Sequence, residues 1–243
     1  MKPYELFWKN SGETPLEALG RFRVRFPEYA AEKLSYAGRL DPLAEGELLI
    51  LIGETNKKRE QYLGFDKEYE FTVLFGVSTD THDLLGMVES VQVPQTEISI
   101  ASSRYIGENL LPYPAYSSKT VEGKPLFAWA REGKLKEIVV PQQHSRIVSL
   151  EETSRGEISS NELLIQLEKI VAQVSGDFRQ EKIIKKWKEA LSFEQDAFPL
   201  VSFRARVGSG TYIRSLVHLM GKEISVPSLA YAIRRTRIFI EQR

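Results

Sequence analysis

Two stretches of this chain alternate between apolar and polar side chains, and they oblige it to build a sheet. In Tyr69-Glu-Phe-Thr-Val-Leu-Phe75 the residues Tyr69, Phe71, Val73 and Phe75 fall on one side, and Gly76 ends the run. From Val201 to Val207, Val201, Phe203, Ala205 and Val207 alternate with Ser202, Arg204 and Arg206, and Gly208-Ser-Gly210 breaks the pattern. A period of two is the mark of a half-buried strand. Leu48 to Ile52 is an unbroken apolar run stopped by Gly53, which reads as a buried strand. Apolar residues at helical spacing predict helices elsewhere. One carries Leu163, Leu164, Leu167, Ile170, Val171 and Val174, with Ser159, Ser160 or Asn161 as its cap. A second begins at an Asp177 cap and turns Ile184, Trp187 and Leu191 inward. A third carries Ile213, Leu216, Val217, Met220 and Ile224. Shorter helices are expected at Glu17–Val24 and Lys57–Leu63. Ser78 to Gly86 reads as a polar loop, and Pro112 and Pro114 bar a helix at 110–116. Sheet and helices are interleaved, without internal repeats or low-complexity linkers, so a mixed α/β fold is predicted.

Composition narrows the chemistry. Hydrophobic residues make up 42% of 243, enough for a sizeable core. The absence of Cys excludes disulfides, thiolate metal sites and Cys nucleophiles. Met1 to Asn10 lacks the apolar core of a signal peptide, and no apolar run is long enough to span a bilayer, so a cytoplasmic location is expected. The net charge is zero, which argues against non-specific coating of nucleic acid. Local basic groups remain: Lys182, Lys185, Lys186 and Lys188; Arg204, Arg206 and Arg214; Arg234, Arg235 and Arg237. On charge alone they read as solvated faces. Asp80, His82 and Asp83 could be drawn as metal ligands, but an exposed polar loop more often uses such residues as turn formers. His144 and His218 read as isolated packing residues.

The run Gly38-Arg-Leu-Asp-Pro42 holds Asp41 between a residue that permits a tight turn and one that fixes φ. Taken alone, Asp before Pro is a turn starter. Its companions change the reading. They are Asp66-Lys-Glu-Tyr69, Gly76-Val-Ser-Thr-Asp-Thr-His-Asp-Leu-Leu-Gly86, Pro114-Ala-Tyr-Ser-Ser-Lys119, Glu122 to Gly133, and Gly208-Ser-Gly-Thr-Tyr-Ile-Arg-Ser-Leu216. In this order, from about Lys9 to about Arg237, they resemble the TruB family, the tRNA pseudouridine-55 synthases.

The resemblance implies the pseudouridine synthase fold, an α/β (α+β) architecture with a mixed, mostly antiparallel central sheet flanked by helices and loops. It implies a single catalytic domain over residues 1–243, with an insertion at about 154–198 and without the PUA domain that family members commonly carry. The activity implied is isomerisation of the T-loop uridine of tRNA after base flipping, by a monomer that binds the T arm and needs neither cofactor nor metal. Asp41 becomes the nucleophile, Tyr69 the stacking residue and candidate base, and Arg214 the partner of Asp41. Tyr212 lines the pocket, Asp83 joins the polar network, and Leu229 is grouped with the substrate-binding residues. Three positions depart from the family pattern. Tyr36 stands where His is usual, Arg39 replaces a small residue, and Lys9 sits in an altered opening, Phe7-Trp-Lys-Asn-Ser-Gly12. All three are carried as candidate substrate contacts.

The residue types suit the chemistry. A carboxylate can act as a covalent nucleophile, a guanidinium beside it favours its ionised form and aims it, and an aromatic ring can hold an unstacked base. The Lys-bearing helix of the insertion is expected to supply RNA contacts. The alternatives are a non-catalytic tRNA-binding factor on the same scaffold, a synthase for another RNA, and a glycoside-cleaving enzyme. The last would need a second carboxylate that the sequence does not identify.

Overall fold

A computed structural model describes residues 2–191 and 197–240, so residues 192–196 of the predicted insertion lie outside the described part. The chain runs through β1 (Tyr4–Lys9), α1 (Pro15–Arg25), β2 (Leu34–Ala37), β3 (Glu45–Ile52), α2 (Arg59–Leu63), β4 (Lys67–Phe75), β5 (Val77–Thr79), β6 (Val88–Val91), β7 (Gly107–Pro112), β8 (Thr120–Val121), β9 (Lys124–Pro125), α3 (Leu126–Arg131), β10 (Gln142–Ser159), α4 (Ser160–Gln173), α5 (Gln180–Ala190), β11 (Ala197–Val207), α6 (Ile213–Glu223) and β12 (Ser228–Ile238). Eight strands form one sheet in the order β1-β3-β12-β4-β11-β10-β7, with β2 added against β3. The pairings are antiparallel except that of β12 with β3. The architecture is the expected mixed, mostly antiparallel sheet with helices packed on it.

The two alternating stretches lie side by side at the centre. β4 and β11 pair Tyr69 with Ala205, Phe71 with Phe203 and Val73 with Val201. Their apolar faces form one core, closed by Leu216, Val217 and Met220 of α6. Leu74 points the other way, with Phe198 and Leu229, into a second core under α4 and α5 that buries Leu163, Leu167, Ile183 and Trp187. Full burial of an aliphatic or Phe side chain contributes about 1.5–3 kcal/mol. The two cores therefore fix both faces of the sheet, and with them the register. Trp187, fully buried, donates its indole N–H to Gly86 O at 2.9 Å, so the polar atom is satisfied.

Local signals set the helix starts. Thr14 and Glu17 close a capping box on α1, and Pro15 begins the helix, which extends the predicted segment at both ends. Ser159 caps α4 through a box with Glu162. The start of α5 corrects the sequence reading. Its N-cap is Arg179, in left-handed conformation at φ 65°, while the Asp177 carboxylate accepts from Arg179 N, ahead of the helix, and does not cap it. Gln180 folds back instead, donating to Val174 O and Gly176 O. The predicted loop at 78–86 begins as strand, since Ser78 and Thr79 pair with β6.

Of the stretch predicted as an insertion, 154–159 and 197–198 are rungs of the β10–β11 ladder, and α4 and α5 form an excursion from it. β10 and β11 pair from Ile147↔Val207 to Ser159↔Ala197, and α4 and α5 lie between their outer ends. Lys182, Lys185, Lys186 and Lys188 are exposed on α5. Three of them stand beside carboxylates, Lys185 and Lys186 near Glu189 and Lys188 near Glu168, which reduces the positive charge of that face. Among the described residues, no helix is long and apolar enough to cross a membrane.

Candidate active site

The loop between β2 and β3 carries Asp41. Gly38 enters it at φ 74°, and Asp41 O accepts from Ala44 N at 3.1 Å, so the turn that the sequence suggested does form. Its geometry is held from behind. Lys9, fully buried, donates Nζ to the carbonyls of Asn10, Pro42 and Ala44 at 2.9, 3.3 and 2.5 Å. Burial pushes the Lys9 amine down to about 8. Lys9 thus supports the Asp41 loop from below the surface and does not line the cleft.

The turn presents the Asp41 carboxylate to Arg214, in the first turn of α6. Arg214 Nε and Nη2 both stand 2.8 Å from Asp41 Oδ2. Among the described residues no donor reaches Asp41 Oδ1. Arg214 is 2% exposed and spends its other donors on carbonyls, Nη1 to Thr81 O at 2.7 Å and Nη2 to Tyr116 O at 3.2 Å. Burial opposes its charge, but Asp41 and Asp83 outweigh that effect and hold the guanidinium protonated. Asp83 Oδ2 lies 3.6 Å from Arg214 Nε, while Asp83 Oδ1 accepts from Thr81 Oγ1 at 2.5 Å and Leu85 N at 3.0 Å. Burial pushes the Asp83 carboxyl up to about 6, against the pull of Arg214.

A second contact locks the 80–83 segment to α6. His218, one turn beyond Arg214, stacks on His82 with ring centroids 4.0 Å apart. His218 is therefore not isolated, as its place in the sequence suggested. Burial, then His218 and Arg214, push the His82 imidazole down to about 3, so the stacked ring stays neutral. Asp80, His82 and Asp83 are turn and network residues. Among the described residues, no group of three His, Asp or Glu is arranged to hold a metal.

Asp41, Tyr69, Asp83, Tyr212 and Arg214 line one cleft of about 480 Å³, within the usual range of small-molecule sites, roughly 300–1,000 Å³. Tyr69 comes from β4 and is 7% exposed. Tyr212, the N-cap residue of α6, meets Tyr113 edge-on at 5.7 Å, and burial raises its phenol pKa. Arg39 is exposed at the rim and donates to Ser118 Oγ at 2.7 Å. Two candidates lie elsewhere. Tyr36 pairs with Ile50 across β2 and β3, and its side chain packs on the α1 core. Leu229 is fully buried beneath α4 and α5. A strand residue can serve the site only from the face turned toward it, and neither is turned that way.

The cleft also has walls that motif reading did not supply. Phe127 and Arg131 of α3 and Phe178 and Arg179 before α5 line it. Arg179 pairs with Asp80 Oδ2 at 2.6 Å, donates to Tyr116 Oη at 2.6 Å, and lies 4.3 Å over the Tyr116 ring. The carbonyl of the same Tyr116 holds Arg214. The one sequence signal for this contact was Tyr116 itself, inside the Pro114–Lys119 motif.

Comparison with known proteins agrees with the geometry. Residues 27–170 match the family model described as TruB family pseudouridylate synthase (N terminal domain). The chain is 29% identical over 208 residues to tRNA pseudouridine synthase B of Caldicellulosiruptor saccharolyticus, covering 84% of this chain and 58% of that one. It is 30% identical over 247 aligned positions to tRNA pseudouridine synthase 4 of Saccharomyces cerevisiae, covering 85% and 60%. The chain therefore spans little more than half the length of these relatives. In three dimensions it resembles a chain in the crystal structure of a Cbf5–Nop10–Gar1 complex, with a TM-score of 0.55 at 18% identity, covering 96% of this chain and 48% of that one. That likeness is one of fold.

Proposed function

Because the chain belongs to the TruB family of pseudouridylate synthases, we propose that it is a tRNA pseudouridine synthase acting on the T-loop uridine, as a single catalytic unit that reads the T arm. The observation that carries the reading is the pairing of Asp41 with a buried Arg214 in a cleft that also holds Tyr69. The reaction breaks the N1–C1′ bond of uridine, turns the base, and joins C5 to C1′. The C5 proton leaves and N1 gains one, so no atoms are lost overall.

In this reading the target base is flipped out of the loop into the cleft. Asp41 acts on the flipped uridine through Oδ1, the oxygen that Arg214 leaves open, while Oδ2 stays fixed, and any bond it forms to the nucleotide is broken again when C5 joins C1′. Arg214 meets the charge of Asp41 and, through Thr81 O and Tyr116 O, keeps the carboxylate at one angle. Tyr69 stacks on the detached uracil and takes the C5 proton. Tyr212 closes the side of the cleft, and Asp83 holds Arg214 from the rear.

The test is direct. Unmodified tRNA is incubated with the protein or with Asp41→Asn, and pseudouridine is mapped by chemical sequencing. Product at the T-loop uridine with the unsubstituted protein alone is expected. Failure of the unsubstituted protein to modify any tRNA would overturn the reading.

A further inference from the structure

One wall of the cleft carries two buried cations that make no ion pair among the described residues. Lys67 is 6% exposed and Arg235 is 0% exposed. Lys67 Nζ donates to Leu63 O at 3.3 Å and Phe65 O at 2.7 Å. Arg235 donates Nε to Glu47 O at 2.6 Å and Nη2 to Gly38 O at 3.0 Å. Arg235 Nη1 is buried and makes no hydrogen bond. Among the described residues, no carboxylate pairs with either group. Burial, and then Arg235, push the Lys67 amine down to about 8, against the weaker opposing pull of Asp66. An unpaired buried charge is costly unless something completes it.

The position of this pair matters. Lys67 and Tyr69 are two residues apart on β4, on the same face, and Arg235 is the cross-strand partner of Tyr69. Gly38, three residues before Asp41, lies directly over both cations. A Cβ on Gly38 would come within 3.2 Å of Lys67 Cε and 3.6 Å of Arg235 Nη1. Glycine therefore lets the loop pack closely against both cations, where a side chain would crowd them. All of these residues line the cleft that contains Asp41. Outside, Arg146 and Arg206 share a single carboxylate, that of Asp66, so the surface near this end is positive as well.

We propose that Lys67 and Arg235 form an anion subsite for one backbone phosphate adjacent to the flipped nucleotide. The proposal rests on the reading of the protein as an RNA-modifying enzyme and assigns a ligand to a part of the cleft that the reaction itself does not use. A phosphate fits better than a base edge because the wall is dominated by two positive charges. The phosphate would hold the nucleotide's backbone while Tyr69, beside the cations, holds its base.

The experiment measures binding of an unmodified T-arm stem–loop RNA to Asp41→Asn protein. One phosphodiester at a time around the loop uridine is replaced by an uncharged methylphosphonate. One position is expected at which the neutral linkage weakens binding about tenfold, the range for a charged hydrogen bond. Adding Lys67→Met should weaken the natural RNA by a similar factor and abolish sensitivity at that one position. It should also lower the slope of log affinity against log salt by about 0.7. Lys67→Arg, which keeps the charge, should retain the sensitivity. Sensitivity that persists at that position in Lys67→Met, or natural-RNA binding unchanged by it, would overturn the subsite. Should Lys67→Met not fold, absence of any sensitive position in the Asp41→Asn parent overturns it alone. Pseudouridine formation by the unsubstituted protein on the same RNA is a separate readout. Its absence defeats the functional reading, whereas product without a sensitive linkage defeats only the subsite.

Discussion

Arg214 grips Asp41 by a single oxygen: Nε and Nη2 each lie 2.8 Å from Oδ2. A fork-to-fork pair would have occupied both carboxylate oxygens. The one-sided grip anchors Oδ2 and leaves Oδ1 without a donor among the described residues. It also depends on the planar, multi-donor head of arginine, which reaches Thr81 O and Tyr116 O at the same time.

Arg214→Lys should therefore fail as a conservative change. An ammonium cannot span Asp41 and both carbonyls, so the carboxylate loses its fixed angle. A misplacement of this kind costs about 100-fold in rate. Single-turnover kinetics on tRNA should show that loss in kcat, with a smaller change in KM. A variant with near-normal kcat would show that Arg214 does not aim Asp41.

Tyr69 has two proposed tasks, which substitution separates. Tyr69→Phe keeps the ring and removes the hydroxyl, so RNA binding should persist while turnover falls. Tyr69→Leu removes the stacking face, worth about 1–3 kcal/mol per base, so affinity should fall roughly tenfold or more. Equal affinity of the Phe and Leu variants for a T-arm stem–loop would remove stacking from the account.

Lys9 offers a test of support without contact. Lys9→Met strips donors from the Pro42 and Ala44 carbonyls, and buried acceptors left unpaired cost about 1–3 kcal/mol each. Thermal melting should drop, and kcat should fall as the Asp41 loop loosens. The salt dependence of RNA binding should stay the same, because Lys9 does not line the cleft. A reduced salt slope in Lys9→Met would place Lys9 on the RNA after all.

Asp83 predicts a pH dependence of stability. Its carboxyl is pushed up to about 6 in the folded protein, chiefly by burial, from an ordinary 3.8. Between these values the folded chain binds more protons than the unfolded chain. The stabilisation is thus complete below about pH 4 and is lost as pH rises through 6. A rise of this size corresponds to at most about 3 kcal/mol. Urea unfolding from pH 4 to 7 should show the unsubstituted protein losing stability relative to Asp83→Asn as pH rises. A constant difference would mean that Asp83 titrates normally.

Much of this was legible in the chain because period and order survive in one dimension. The alternation at Tyr69–Phe75 and Val201–Val207 located the two central strands, and the stripe from Ile213 to Met220 located the helix that carries Arg214. The order of short motifs brought Asp41, Tyr69, Asp83, Tyr212 and Arg214 into one cleft. Facing and distance were harder to read. Tyr36 and Leu229 sit in strands whose sites of burial depend on which neighbour pairs with them, and Lys9 is hidden by a loop more than thirty residues away. The outer half of β10, Glu151 to Glu157, is polar and exposed. Its strand state comes from the ladder with β11, and no hydrophobic period marks it. The Arg179–Asp80 pair and the His82–His218 stack join residues far apart in sequence, which motif spacing cannot reveal.

The ladder between β10 and β11 bears on how such a protein can diversify. Its rungs run from Ile147↔Val207 to Ser159↔Ala197, and the helical excursion starts only beyond the last one. Lengthening the turns of that excursion leaves the rungs paired, because loop-closure entropy rises only slowly with length. Yet Phe178 and Arg179, within it, form a wall of the cleft that holds Asp41. The inner faces of α4 and α5 stay tied to the sheet through Leu163, Leu167, Ile183 and Trp187, so variation that spares those four and alters the outer turns changes the wall of the cleft without moving the framework beneath it.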